Sequence, residues 1–243
     1  MRLSDFKVLT FDCYGTLVDW EGGIIEALKP LTDRVKRELT RDEILEAHAR
    51  HEFRHQRQTP SKRYQDLLPV VYRRLAEGWG VDADREECVA YGQSVSNWRP
   101  FPDTTEALRY LKQHFKLVIL SNVDNAVFAA SNVRLGVVFD AVYTAEDIGS
   151  YKPADGNFLY MTELLEERGY GKGDILHTAE SLFHDHEPAN RHGLHSCRIF
   201  RRRGQQGSGA AMNPAGQPRY DFCFDTMGDM AKAHAREMSE QAE

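Results

Sequence analysis

The 243-residue chain has few cysteines, no long apolar run and no surplus of positive charge, and each shortage removes a class of function. Its four cysteines, Cys13, Cys88, Cys197 and Cys223, lie far apart and form no C-x-x-C pair, which argues against a zinc site or a disulfide framework. Cys13 stands beside the candidate nucleophile introduced below, but packing is the expected role of all four. No apolar stretch approaches the length needed to span a bilayer. Lys and Arg number 31 against 37 Asp and Glu, a formal net charge of −6, so nothing draws the chain generally to nucleic acid or to an anionic membrane. The opening residues, MRLSDFKVLTFDCYGTL, show no charged-then-apolar leader with a small-residue cleavage site, and the expected location is cytoplasmic. No internal repeat is visible. Ten histidines are present, four of them clustered as His177, His184, His186 and His192. They lack H-E-x-x-H or similar ligand spacing. The expectation is surface and helix-terminus histidines around a strand-loop-helix junction.

What is present is a globular composition with 41% hydrophobic residues, enough for one large domain or one domain with an insertion. Residues 6–11 read as a short apolar strand, followed by a tight Asp-Cys-Tyr-Gly-Thr-Leu turn. From residue 22 to 95 charge is dense and apolar residues recur at helical spacing, as in Ile24, Leu28, Leu31 and in Leu67, Val71, Leu75. Thr40-Arg-Asp-Glu43 is a capping-box pattern, and Pro60, Pro69 and the stretch from Pro100 to Pro102 punctuate the region. Beyond Pro102, helices near 104–114, 125–135 and 156–168 alternate with strands near 116–120, 139–143, 174–178 and 195–200. That alternation predicts an α/β fold, a Rossmann-like, doubly wound parallel sheet with an inserted helical domain. Residues 1–19 and 98–243 are expected to form the catalytic core and residues 20–97 the helical cap. Residues 204–218 are predicted to be a flexible loop, 220–224 an edge strand, and 227–243 a polar helix that frays.

In open α/β sheets reacting groups sit just past the carboxyl ends of strands. Four such loops here begin at Asp12, Ser121, Lys152 and Glu180. Asp12 ends an apolar strand before a Gly15-Thr16 turn, and a carboxylate held there can attack an electrophile to give an ester or mixed anhydride. Thr16 has a hydroxyl to offer that carboxylate or a substrate. Ser121-Asn122 presents short donors that suit an anion or a helix N-cap. Lys152, followed by Pro153, has an aimed ammonium that would keep Asp12 ionised. Glu180 and Asp185 would orient a water or bind a divalent cation.

The segments Phe11-Asp12-Cys-Tyr-Gly-Thr-Leu17, Leu120-Ser121-Asn122, Tyr151-Lys152-Pro153 and Glu180-Ser-Leu-Phe-His-Asp185 together resemble the four motifs of the haloacid dehalogenase superfamily, in order. Within it, Phe-Asp-x-Tyr-Gly-Thr-Leu resembles the type II 2-haloacid dehalogenases. The superfamily's phosphatases carry an aspartate two residues after the nucleophile to protonate the leaving alcohol, and here that position is Tyr14. A halide leaves as an anion and needs no such acid. The resemblance therefore implies hydrolytic dehalogenation of a short 2-haloalkanoic acid, with Asp12 as nucleophile and an aspartyl-ester intermediate. Lys152 would keep Asp12 anionic and Asp185 would orient the hydrolytic water. Thr16, Ser121 and Asn122, with Tyr14 beside them, would bind the substrate. By position in the cap, Arg50 matches the arginine those dehalogenases place near substrate, with Arg54 as its competitor. Two departures stand out. Glu180 heads a fourth motif spaced as in the phosphatases, and Phe158 replaces a tyrosine. No cofactor is expected on the dehalogenase reading. A Mg2+ ion on Asp12 and Asp185, with Glu180 in reserve, belongs to the alternative, a small-molecule phosphatase. A third reading is a catalytically weak binding protein on this fold. The expected partner is a small carboxylic acid, and the resemblance adds a homodimer.

Overall fold

The computed structural model describes residues 1–242; Glu243, the last residue of the expected tail helix, lies outside the described residues. Six strands form one parallel sheet: β1 (Val8–Phe11), β2 (Lys116–Ser121), β3 (Ala141–Thr144), β4 (Ile175–Ala179), β5 (His195–Ile199) and β6 (Phe222–Phe224), in the order β3-β2-β1-β4-β5-β6. β1 is buried along its whole length because it lies at the centre with both faces covered, which is why its sequence is continuously apolar apart from Thr10. Strand side chains alternate between faces. Val8, Val118, Leu120 and Ile175 pack on one side against Phe158, Met161 and Leu165 of α8 (Asp155–Glu166). Leu9, Phe11, Leu117 and Ile119 pack on the other, in a core that also takes in α5 (Thr104–Leu111). β2 runs into α6 (Asn125–Leu135), and β3 into the short α7 (Ala145–Ile148).

Between β1 and β2 the chain makes four helices, α1 (Trp20–Thr32), α2 (Arg41–Gln58), α3 (Tyr64–Trp79) and α4 (Arg85–Ser94), within the span read as an insertion. The Thr40–Glu43 capping box forms as expected at the start of α2, and Asp84 and Glu87 make a second at α4. Pro69 does not end a helix: it sits inside α3. A proline there cannot donate to the carbonyl of Gln65 four residues back. α4 approaches that carbonyl through Gly92, where a Cβ would stand 2.4 Å from the Gln65 oxygen. The chain is clamped to the core by Asp124, whose carboxylate accepts from Tyr64 N (2.7 Å) and Gln65 N (2.9 Å) at the start of α3.

The C-terminal helix corrects another expectation. α10 (Met227–Ala242) is amphipathic rather than polar throughout, burying Met227, Met230, Ala231 and His234. Glu237 accepts from the backbone of Leu3 and Ser4, which ties the two ends of the chain together. Residues 204–218 carry no helix or strand, yet they are anchored, with Ala210 buried and its N–H donated to Glu21 at 3.0 Å. Among the described residues no helix is long and apolar enough to cross a membrane.

Candidate active site

The order β3-β2-β1-β4-β5-β6 reverses direction at β1, where the chain first winds to one side of the sheet and later to the other, and a crevice opens at the carboxyl ends of β1 and β4. Asp12 is the first residue beyond β1, its N–H donated to the Thr178 carbonyl of β4 at 3.1 Å. The chain then turns through Gly15, whose φ of 96° is a conformation that side-chain-bearing residues avoid. The turn brings Thr16 back under Asp12. Its hydroxyl donates to Asp12 Oδ2 (2.7 Å) and accepts from Glu180 N (2.9 Å). Thr16 is fully buried, and of the two roles open to its hydroxyl the structure shows the contact to Asp12.

Lys152 is buried between two carboxylates. Its Nζ donates to Asp12 Oδ1 at 2.9 Å and to Asp185 Oδ1 at 2.6 Å. Asn122 fixes the backbone that carries this lysine: Oδ1 accepts from Lys152 N (2.7 Å) and Nδ2 donates to Lys152 O (3.1 Å). Asn122 is thus a brace, and the N-cap of α6 falls to Asp124. Asp185 lies in a single π-helical turn, Leu182–His186, that leads into α9 (Glu187–Arg191). His177 of β4 reaches Asp185 Oδ1 through Nε2 (3.0 Å), while its Nδ1 lies 2.8 Å from the Thr10 hydroxyl. A carboxylate only accepts, so Nε2 carries the proton.

One ammonium thus serves two buried carboxylates, and they fare differently. Burial would raise Asp185, but Lys152 and His177 outweigh it and hold this carboxyl below the usual carboxylate range. For Asp12 burial prevails: it pushes the carboxyl above the usual range against the pull of Lys152, and the charge of Asp185 adds to the rise. Burial also works against the ammonium, yet the two aspartates together raise Lys152 above the usual lysine range, so it stays charged. Burial pushes the Cys13 thiol well up, which leaves that side chain to packing.

A cavity of about 50 Å³ opens over Asp12. One water needs roughly 10–15 Å³ on the same measure, so the space suits a molecule of a few heavy atoms. Its sheet-end wall includes Ser121, Lys152, Glu180 and Asp185; its helical wall includes Trp20, Glu52, Gln56 and Tyr64. Ser121 Oγ and Trp20 Nε1 are buried there without a partner, as is Asp185 Oδ2. Tyr14 lines the cavity but points its hydroxyl at Ser131 Oγ, 2.7 Å away. Glu180 faces Arg198 (3.7 Å), and burial lifts its carboxyl to about 7.

Arg50 does not reach this cavity. It is exposed in a surface groove with Phe53, Arg54 and Arg57. Helical residues two apart point about 200° from each other, so the turn of α2 that directs Glu52 inward directs Arg50 and Arg54 outward. Three of the four clustered histidines are also misplaced by the sequence reading: His177, His184 and His186 are buried. Each has a partner, His184 Nδ1 at 3.1 Å from Ser181 Oγ and His186 bonded to Ser196 and the Ala179 carbonyl. Sequence reasoning missed Glu52, Gln56, His177 and His184. For the first two a signal existed: on α2 the buried stripe through Leu45 continues as His48, Glu52 and Gln56, polar residues at spacing that calls for apolar ones.

A family model described as haloacid dehalogenase-like hydrolase matches residues 6–177. No curated protein sequence matches the chain. Among solved structures, an L-2-haloacid dehalogenase is 24% identical, with a TM-score of 0.73 over 95% of this chain and 99% of that one. The L-2-haloacid dehalogenase from Xanthobacter autotrophicus with chloropropionic acid covalently bound is 19% identical, with a TM-score of 0.75 over 95% and 98%. A putative HAD-hydrolase from Bacillus subtilis bound to magnesium is 17% identical, with a TM-score of 0.72 over 96% and 98%. At these identities the likeness is one of fold.

Proposed function

The chain belongs to the haloacid dehalogenase-like hydrolases, and from that premise we propose that it hydrolyses short 2-haloalkanoic acids to 2-hydroxy acids and halide. The observation that carries this reading is the orientation of Tyr14. The position that would supply an acid for a leaving alcohol holds a phenol turned to Ser131, its proton held by burial well above the ordinary tyrosine range. A leaving group that departs as a stable anion fits such a site. The small cavity agrees, as do the orphan donors on Ser121 and Trp20, which suit a substrate carboxylate.

The Asp12 carboxylate attacks C2 from the side opposite the halogen. The new O–C bond forms as the carbon–halogen bond breaks, and the halide leaves with the electron pair. Lys152 and Thr16 hold the attacking group and later the ester. Water oriented by the free Oδ2 of Asp185 then adds to the Asp12 ester carbonyl; collapse breaks the bond from that carbonyl to the alkoxide oxygen, one proton of the water passes to this oxygen to release the 2-hydroxy acid, and the other is lost to solvent as Asp12 returns to carboxylate.

The same free oxygen, with the spacing of the Glu180–Asp185 motif, is what favours a magnesium-dependent phosphatase. The surrounding residues do not fit a metal cage, however. The Lys152 ammonium already bridges Asp12 and Asp185, Glu180 faces Arg198, and among the described residues no three His, Cys, Asp or Glu side chains converge. The test measures halide released from chloroacetate, fluoroacetate and 2-chloropropionate with EDTA present, beside p-nitrophenyl phosphate with magnesium. Halide release abolished by Asp12→Asn is expected. Phosphate release without any halide would overturn the reading.

A further inference from the structure

The helical wall of the cavity raises a problem that the proposed reaction leaves open: among the described residues no cationic side chain lines it to meet a departing halide. Displacement at carbon places the leaving group opposite the nucleophile. Asp12 enters from the sheet ends, so the halide departs toward α2 and the start of α3. Lys152 is spent on two aspartates, and Arg50 and Arg54 point outward. What α2 does present is Glu52, buried, on the helix face shared with Gln56.

We propose, resting on the dehalogenase reading, that Glu52 in its carboxylic-acid form is the hydrogen-bond donor that receives the departing halide. Asp12 and Glu52 line the same cavity of about 50 Å³. A carboxylate at this spot would repel the halide, whereas a carboxylic acid would stabilise it, and the surroundings favour the acid. Tyr64 Oη donates to Glu52 Oε1 at 2.6 Å, a bond that favours the carboxylate but leaves Oε2 open for the proton, and burial outweighs it. His48 Nδ1 stands 3.8 Å from Oε2, too far for a hydrogen bond. His48 is kept neutral by burial, its pKa lowered to about 3, so the two form no ion pair. Of the other titratable groups near Glu52, the hydroxyls of Tyr64 on α3, Tyr91 on α4 and Tyr151 beside Lys152 are pushed up by burial and neutral, and burial lowers His184, which lines the same cavity, to about 4, so it is neutral too. Across the cavity Asp12, Asp185 and Lys152 sum to one negative charge, which also disfavours an ionised Glu52, and Glu180 is neutral below about 7. Burial lifts Glu52 itself to about 7. In the displacement its proton stays on Oε2: the halide accepts the hydrogen bond and diffuses away, and Glu52 is unchanged.

The experiment is halide release from fluoroacetate and bromoacetate between pH 5 and 9. The wild type is expected to lose kcat as pH rises through about 7. In Glu52→Gln the amide N–H donates at every pH, so the alkaline loss disappears. Glu52→Ala is expected to lose about 100- to 1000-fold, the usual effect of removing one preorganised donor from a developing anion. Fluoroacetate should suffer more than bromoacetate, because fluoride leaves least readily. Tyr64→Phe, which removes the bond favouring ionised Glu52, moves the alkaline loss to higher pH. Glu180→Gln leaves it in place. An unchanged alkaline loss in Glu52→Gln, or equal losses on both halides in Glu52→Ala, overturns the proposal while leaving the dehalogenase reading intact. No halide from the wild type at any pH overturns that reading, and the role of Glu52 with it.

Discussion

Replacing Asp12 by Asn should stabilise the protein near neutral pH, and replacing Asp185 by Asn should destabilise it, although both aspartates bind the same lysine. Asp185 has the shorter bond to Lys152, 2.6 Å against 2.9 Å for Asp12, and adds His177 at 3.0 Å. Its lowered pKa means that its ionised form stabilises the fold, whereas the raised pKa of Asp12 means that ionising it in the folded protein costs free energy. Asp12→Asn removes that cost and the repulsion between the carboxylates, leaving Lys152 and Asp185 as a neutral pair. Relieving a functional site in this way commonly yields about 0.5–2 kcal/mol. Asp185→Asn breaks the better pair and turns an amide toward the donors of Lys152 and His177. Losing one partner of a buried pair costs roughly 3–5 kcal/mol. For a chain of this length each kcal/mol moves Tm by about 2–4 °C. The expected changes are therefore roughly +1 to +8 °C for Asp12→Asn and −6 to −20 °C for Asp185→Asn.

The pH dependence provides a separate check. A carboxyl whose folded pKa is raised costs nothing below its unfolded pKa, about 3.9, and its full cost appears only above the folded value. The gain from Asp12→Asn should thus be present at pH 7 and vanish near pH 3.5. Calorimetry of the wild type and both variants at these two pH values decides the matter. A loss at pH 7 from Asp12→Asn as large as that from Asp185→Asn refutes the unequal sharing of Lys152. A gain that persists at the lower pH shows that its origin is not electrostatic.

Thr16→Val keeps the shape of the turn but deletes the hydroxyl between Asp12 and the Glu180 N–H. An orphaned buried donor costs about 1–3 kcal/mol, so both Tm and halide release should fall. Arg50→Ala should leave kcat and KM within about twofold, since a solvated surface arginine is energetically near neutral; steady-state kinetics on chloroacetate measures this, and a large rise in KM would return Arg50 to the site. Gly92→Ala would set a Cβ 2.4 Å from the backbone oxygen of Gln65, where no side chain can move aside. Overpacking of this kind costs about 1–3 kcal/mol, visible as a lower urea midpoint.

Much of the sheet was legible because each strand leaves a local mark: β1 and β4 are short apolar runs, and the loops after them begin with residues that have chemistry to offer. The site residues read most directly are those placed by one strand end, as Asp12 is by β1. The roles of Thr16 and Asn122 were harder, because a hydroxyl or amide in a loop reads equally well as contacting substrate or the chain; only the approach of Glu180 N and of the Lys152 backbone decides for the chain. The buried histidines were misread for a similar reason. Their partners Thr10, Ser196 and Asp185 are brought together by sheet pairing and by a π turn, neither of which has a spacing that a sequence reveals.

Arg50 and Glu52 show the deeper limit. Both lie on α2, whose existence and N-terminus follow from the capping box and apolar spacing. Which face turns toward Asp12 depends on how α2 packs against α1 and α3, and a rotation of two residues exchanges a cation for an acid at the cavity wall. Matching the cap by charge alone selects the arginine, because an anionic substrate asks for one. Matching it by phase selects the glutamate: Leu45 is buried, so His48, Glu52 and Gln56 must follow it inward, whatever their polarity. Three polar side chains in succession on the buried face of a helix are costly to bury without partners. The cavity over Asp12 lies where that stripe meets the ends of the sheet, so the phase of α2, more than its charge, identifies the helical residues that line it.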